Sequence, residues 1–184
     1  MIIVKVRQEI IEHCTDQIKK YNFGKRFSAN GNKEQQLTGI IGQSVVSELL
    51  GFGLVDGSSG FDDGSDVNMY NLSIDIKTMG RTTDVRPTYT NNFLKLQDYF
   101  NTDVYIFCSF HKVKKEITIC GWIDKINFKN KRRFYKKGSV RKRFDGTSFK
   151  TFADLYEIDI KDLNNFSDIN VFKQQIKDFS GERR

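Results

Sequence analysis

Two acids nine positions apart, Asp66 and Asp75, and a lysine two positions beyond the second, Lys77, are the residues of this 184-residue chain best suited to chemistry. In Leu72-Ser73-Ile74-Asp75-Ile76-Lys77-Thr78, strand alternation sends Ile74 and Ile76 to one face and Asp75 and Lys77 together to the other. Asp66 closes the acidic turn Asp62-Asp63-Gly64-Ser65-Asp66 and opens the preceding strand, so a short turn between the strands brings the two carboxylates together. Two carboxylates at one point repel each other unless a cation joins them. Mg²⁺ accepts a few carboxylate oxygens while keeping waters. A lysine beside such an ion can orient or deprotonate an attacking water and stabilise charge on a phosphate.

Other chemistries find less material. The three cysteines, Cys14, Cys108 and Cys120, form no Cys-x-x-Cys pair, which argues against a zinc or iron–sulfur site and for small core residues in a reducing compartment. Two histidines, His13 and His111, are too few for a histidine-rich metal site or a triad with alternatives. Gly57-Ser58-Ser59-Gly60 lacks the Gly-Lys-Ser/Thr of a phosphate loop. Apolar runs are short and Met1-Ile2-Ile3-Val4 is followed at once by charge, so the expectation is a cytoplasmic protein with no membrane partner and no secretory leader.

The elements that must position the acids follow from periodicity. Residues 2 to 21 read as a helix, and residues 22 to 32 as a loop. Leu37, Ile40, Ile41, Val45 and Leu49 share a stripe on a helix from Lys33 to about Leu50, which Gly51 and Gly53 stop. Two strands follow, near Asp66–Tyr70 and Leu72–Thr78, and a loop with Arg81, Arg86 and Pro87 leads to a short helix from about Asn91 to Phe100. Val104–Phe110 and Glu116–Ile123 form a hairpin-like pair; a strand at Ala153–Ile160 and a polar helix close the chain. The expectation is one α/β domain, residues 1–184, with a mixed central sheet flanked by helices.

Gly39-Ile40-Ile41-Gly42-Gln43 on a helix, then Asp66, then Asp75-Ile76-Lys77, resembles the PD-(D/E)XK nuclease superfamily, the group of many restriction endonucleases, phage exonucleases and Holliday-junction resolvases. The resemblance spans roughly residues 33 to 123 and implies a restriction-endonuclease-like αβββαβ core, here of a small phage or mobile-element type. It also implies Mg²⁺, with Mn²⁺ as a substitute, held by Asp66, Asp75 and the backbone carbonyl of Ile76, with Lys77 assisting water attack. Ser65 stands where the motif has proline. Gln43 takes the catalytic-helix position where many members carry a glutamate; it keeps an oxygen but not the charge, and Glu48, about 140° further round, is a poor substitute.

The formal net charge of +7 has one source. From Lys125 to Arg143 there are ten basic residues and no acid, and without them the chain carries 20 basic against 23 acidic residues. Phe128, Phe134, Tyr135 and Phe144 are interleaved. Residues 124–150 therefore read as a basic DNA-contacting insertion, with Lys131, Arg132, Arg133, Lys136, Lys137, Arg141, Lys142 and Arg143 on phosphates. The whole points to a Mg²⁺-dependent endodeoxyribonuclease, of restriction type or for phage DNA processing, with a homodimer as one route to cutting both strands. The alternatives are a catalytically weak or inactive nuclease-fold DNA-binding protein, a junction-resolving nuclease, and a protein-interaction module.

Overall fold

The computed structural model describes residues 1–23, 31–59, 64–142 and 146–182. Helix α1 spans Gln8–Lys20 and α2 Lys33–Leu50. Asn32 begins α2 with a reciprocal capping box: its side chain accepts the Gln35 N–H, and the Gln35 side chain accepts the Asn32 N–H. Gly51 ends it in the left-handed conformation at φ 94°. The strands are β1 (Ile2–Lys5), β2 (Val67–Met69), β3 (Leu72–Arg81), β4 (Thr90–Leu94), β5 (Val104–His111), β6 (Glu116–Asp124), β7 (Arg133–Tyr135), β8 (Val140–Lys142), β9 (Ser148–Lys150) and β10 (Leu155–Asp159). Helix α3 covers Lys125–Lys131 and α4 Ile169–Glu182. No described helix is long and apolar enough to cross a membrane.

The protein is α/β with a mixed central sheet. Its five strands run in the order β1-β6-β5-β3-β2, with β3 parallel to β5 and every other pairing antiparallel. A second, antiparallel sheet has the order β4-β10-β7, and β8 and β9 form a separate hairpin. One core packs the first two helices and α4 onto the central sheet through Ile10, Ile40, Ile41, Val45, Ile74, Ile76 and Ile176. The other core is largely aromatic: Phe93, Tyr105, Phe107 and Phe128 lie between the two sheets, with ring centroids of Phe93 and Phe128 5.0 Å apart. Cys14, Cys108 and Cys120 are free and buried within these cores, as small apolar residues.

Two segments differ from the expectation. Residues 2 to 5 are a strand rather than the start of a helix. Ile2, Ile3 and Val4 are β-branched, the stretch alternates between half-buried and exposed, and it closes an otherwise open edge of β6. Residues 90 to 94 are a strand as well, followed by a 3-10 turn at Lys95–Gln97, where a helix to Phe100 was expected. Asn91 and Phe93 alternate inward, and two adjacent asparagines are weak helix formers, so pairing with β10 prevails. The expected short helix before β5 is thus absent from the described residues.

Candidate active site

The α2 helix lies on the central sheet so closely that a Cβ at Gly42 would sit 1.9 Å from Thr78 Oγ1 on β3. That approach brings the Gln43 side of α2 to the edge of β3. Strand β2 pairs with β3 only over Leu72–Ile74, whereas β5 pairs with it over Ile74–Arg81. Beyond Ile74, then, no described strand covers the other edge of β3. A cleft of about 1080 Å³ opens there, and Gln43, Asp66, Asp75, Ile76 and Lys77 all line it.

Each of these residues has a definite setting. Asp66 N–H donates to the Ile74 carbonyl at 2.9 Å, and Asp66 Oδ2 accepts the Ile76 N–H at 2.6 Å. The first acid is therefore fastened to the middle residue of the Asp-x-Lys triplet. Asp75 is only 1% exposed, and Lys77 Nζ lies 2.6 Å from its Oδ2. Burying a carboxylate this deeply is costly without a cation, and the lysine supplies one. Lys77 Nζ also stands 5.7 Å from the centre of the Phe93 ring. Tyr105 is the β5 partner of Asp75 in register; burial, and then the Asp75 charge, push its phenol above the ordinary range. Glu48 pairs with Arg7 and does not line the cleft, whereas Gln43 does, together with Gln36, Thr38 and Ser47 of the same helix.

Among the polar residues lining the cleft that the sequence pattern did not single out are Thr78, Asn91 and Gln97. All three are drawn inside by position rather than by chemistry. Gln97 Nε2 and Thr78 Oγ1 are buried with no hydrogen-bond partner. Reading residues 90 to 94 as a strand would have revealed Asn91, which shares its inward face with Phe93.

The basic segment is more committed than its composition suggests. Arg132 makes a two-point bond to Asp98, its guanidinium 3.7 Å from the centre of the Tyr156 ring. Arg133 pairs in the same way with Asp159, and Arg141 with the buried Glu157. These guanidiniums hold the Asp98 and Asp159 carboxyls below their usual range, and their carboxylate partners raise the basicity of Arg133 and Arg141. Lys131 Nζ donates to the Asp162 carbonyl at 3.1 Å. Lys136, Lys137 and Lys142 are exposed and have no carboxylate partner among the described residues. Arg143 lies outside the described residues. Strand β7 is built into the second sheet, so the insertion is a structural part of the domain from Asp124 through Tyr135; the β8–β9 hairpin joins neither sheet but is tied to β10 through Arg141 and Glu157. None of the insertion's described basic side chains lines the cleft, whereas Phe152 and Leu155 just after it do.

As a metal site, the cleft offers hard oxygen donors. The described residues contain no group of three or more His, Cys, Asp or Glu side chains able to hold an ion. Of the three described carboxylates lining the cleft, Asp56 is engaged by the Ser58 N–H and hydroxyl, which leaves Asp66, Asp75 and a backbone oxygen as the donors beside β3. That set fits a cation such as Mg²⁺, which retains several waters, better than one needing an all-protein cage. Ile76 donates its N–H to Asp66 from the edge of β3 that faces the cleft, and its carbonyl projects from that same edge. Comparison with protein-family models, curated proteins and solved structures finds no match for this chain.

Proposed function

We propose that the chain is a Mg²⁺-dependent deoxyribonuclease that hydrolyses DNA phosphodiester bonds, with Asp66, Asp75 and the Ile76 carbonyl as the cation's ligands. The reading takes α2, β2, β3 and β5 as a restriction-endonuclease-like core. One contact carries it: the 2.6 Å bond from Ile76 N–H to Asp66 Oδ2, which ties an acid from outside the Asp-x-Lys strand to that triplet. A solvated Asp–Lys pair on an edge strand has no need of such an anchor, and would not be found with Asp75 at 1% exposure.

When bound, Mg²⁺ supplies Lewis-acid polarisation of the phosphate and neutralises charge on the leaving oxygen. The chain's own residues do the positioning. Lys77, tethered to Asp75, holds an ammonium at the cleft floor where it orients a water toward phosphorus and meets charge developing on the phosphoryl oxygens. Gln43 contributes a neutral amide on the helix side. The aromatic wall behind Lys77, with Phe93 and Phe107, lowers the local polarity and strengthens these interactions. The lysines Lys136, Lys137 and Lys142 contact the DNA backbone, and duplex scission uses either two copies or two successive nicks.

A second reading, a nuclease-fold protein that binds DNA without cutting it, is favoured by the amide at Gln43 and by the small carboxylate set. Incubating supercoiled, linear and four-way-junction DNA with Mg²⁺ or Mn²⁺, and mapping product ends, separates the two. Metal-dependent breaks support the nuclease, and binding without breaks on any substrate supports the second reading.

A further inference from the structure

Directly paired residues of neighbouring strands share a sheet face, and at one end of the central sheet this lines up two rows. Ile3, Thr118 and Ser109 form one; Lys5, Glu116, His111 and Arg81 form the other. All of these except Lys5, together with Met1, Thr83, Asp84 and Val85, line a cavity of about 210 Å³, separate from the large cleft.

Arg81 is the anomaly of this cavity. Its Nε donates to Ser109 Oγ at 2.9 Å, its Nη2 to the Thr90 carbonyl and to Met79 Sδ, and its guanidinium lies 5.2 Å from the centre of the Tyr89 ring. These contacts clamp the head group, yet no carboxylate among the described residues comes within ion-pairing distance. Its Nη1 donates to no described protein group. Burial depresses the basicity of Arg81, and the Cys120 and Tyr89 side chains offset this only in part, though an arginine stays charged. The two acids of the lining are already matched: Asp84 by Lys114, and Glu116 by Lys5 at 3.7 Å. A part-buried cation without a counter-charge is expensive, and proteins usually pair it.

Two more donors face the same space. His111 Nδ1 accepts the Lys114 N–H at 3.2 Å, so in the neutral ring the proton sits on Nε2. Asp84 Oδ1 is 3.7 Å from that nitrogen, beyond hydrogen-bonding range. Thr118 supplies a hydroxyl from β6. The cavity matches the volume of about seven waters, room for one tetrahedral oxyanion with hydration and too little for a nucleotide. We propose that this cavity is a binding site for a small oxyanion of phosphate type, held by Arg81 Nη1, His111 Nε2 and the Thr118 hydroxyl. The inference does not depend on the nuclease reading.

The test is a titration of the whole protein with inorganic phosphate against chloride at constant ionic strength, following the Arg81 side-chain NMR signal and the melting temperature. A saturable shift of the Arg81 signal with a concentration-dependent rise in melting temperature is expected. Thr118→Val, which keeps shape and loses one charge-assisted bond, should raise the dissociation constant about tenfold. Arg81→Gln should abolish saturation; because Arg81 also ties β3 to Thr90, the Thr118→Val comparison decides the matter if that variant folds poorly. A parallel arm with 5′-phosphorylated and unphosphorylated oligonucleotides identifies the source. A response to inorganic phosphate assigns a free ion, and a response to the phosphorylated oligonucleotide alone assigns a nucleic-acid end. An Arg81 signal that ignores both, or moves without saturating, or titrates identically in Thr118→Val, overturns the proposal.

Discussion

Replacing Lys136, Lys137 and Lys142 together with alanine should weaken DNA binding in a salt-dependent way, whereas replacing Arg132, Arg133 and Arg141 should mainly weaken the fold. The three lysines are exposed and have no carboxylate partner among the described residues, so each is available to a phosphate. At about −0.9 per contact, their loss should flatten the plot of log binding constant against log salt by up to about 2.7. The three arginines are each bonded at two points to Asp98, Asp159 or Glu157. Truncating them strands part-buried carboxylates, at a cost of roughly 1–3 kcal/mol each. The assay is a set of salt titrations of DNA affinity in a catalytically silenced Asp75→Asn background, with urea unfolding of every variant alongside. A lysine variant that titrates like its parent, or an arginine variant that keeps full stability and flattens the slope just as much, would overturn this division of roles.

Three further outcomes follow from the same geometry. Gln43→Glu should add charge at the helix side of the cleft and shift the Mg²⁺ and Mn²⁺ dependence of cleavage to lower concentration; superimposable metal titrations would remove Gln43 from the metal's surroundings. Gly42→Ala should cost about 1–3 kcal/mol in urea unfolding, because the new Cβ would sit 1.9 Å from Thr78 Oγ1, with partial recovery when Thr78 is also cut to alanine; an unchanged midpoint would mean that α2 does not press on β3 as described. Arg132→Gln should erase a pH-dependent increment of stability: Asp98 is held below its ordinary value near 3.8, so its pairing stabilises the fold fully above that pH and is lost as pH falls through the lowered value. The gap between parent and variant melting temperatures should therefore be wider at neutrality than in strong acid, where only the lost contact with the Tyr156 ring remains, and a gap that does not change with pH would contradict the assignment.

The Asp-x-Lys strand and the helix from Lys33 were legible because their signals are local: two-residue alternation in one case, a capped apolar stripe in the other. Asp66 was legible for the same reason, since a two-residue turn at Tyr70-Asn71, both at positive φ, joins its strand to β3. What was not legible depends on partners far along the chain. Strand β1 exists because β6, more than a hundred residues later, has an edge to pair. Strand β4 exists because β10 lies beside it. The basic segment read as uniformly free charge because the carboxylates that hold Arg132, Arg133 and Arg141 come from other segments, Asp98 before it and Glu157 and Asp159 after it. Alternation along one strand cannot announce an ion pair made across a sheet.

Plasmid nicking with Mg²⁺, comparing the parent with Lys77→Ala, decides whether the cleft cuts DNA. Lys77 is the one site residue proposed to act on the water rather than to hold the cation, so DNA binding should outlast its loss; because it also supplies the charge opposite the buried Asp75, the melting temperature and DNA affinity of Lys77→Ala are measured alongside. Nicking by the parent should depend on the metal and stop on chelation, and it should fall at least about 100-fold in Lys77→Ala. Equal nicking rates in the two proteins, or intact plasmid with the parent at every Mg²⁺ and Mn²⁺ concentration, would contradict the nuclease reading.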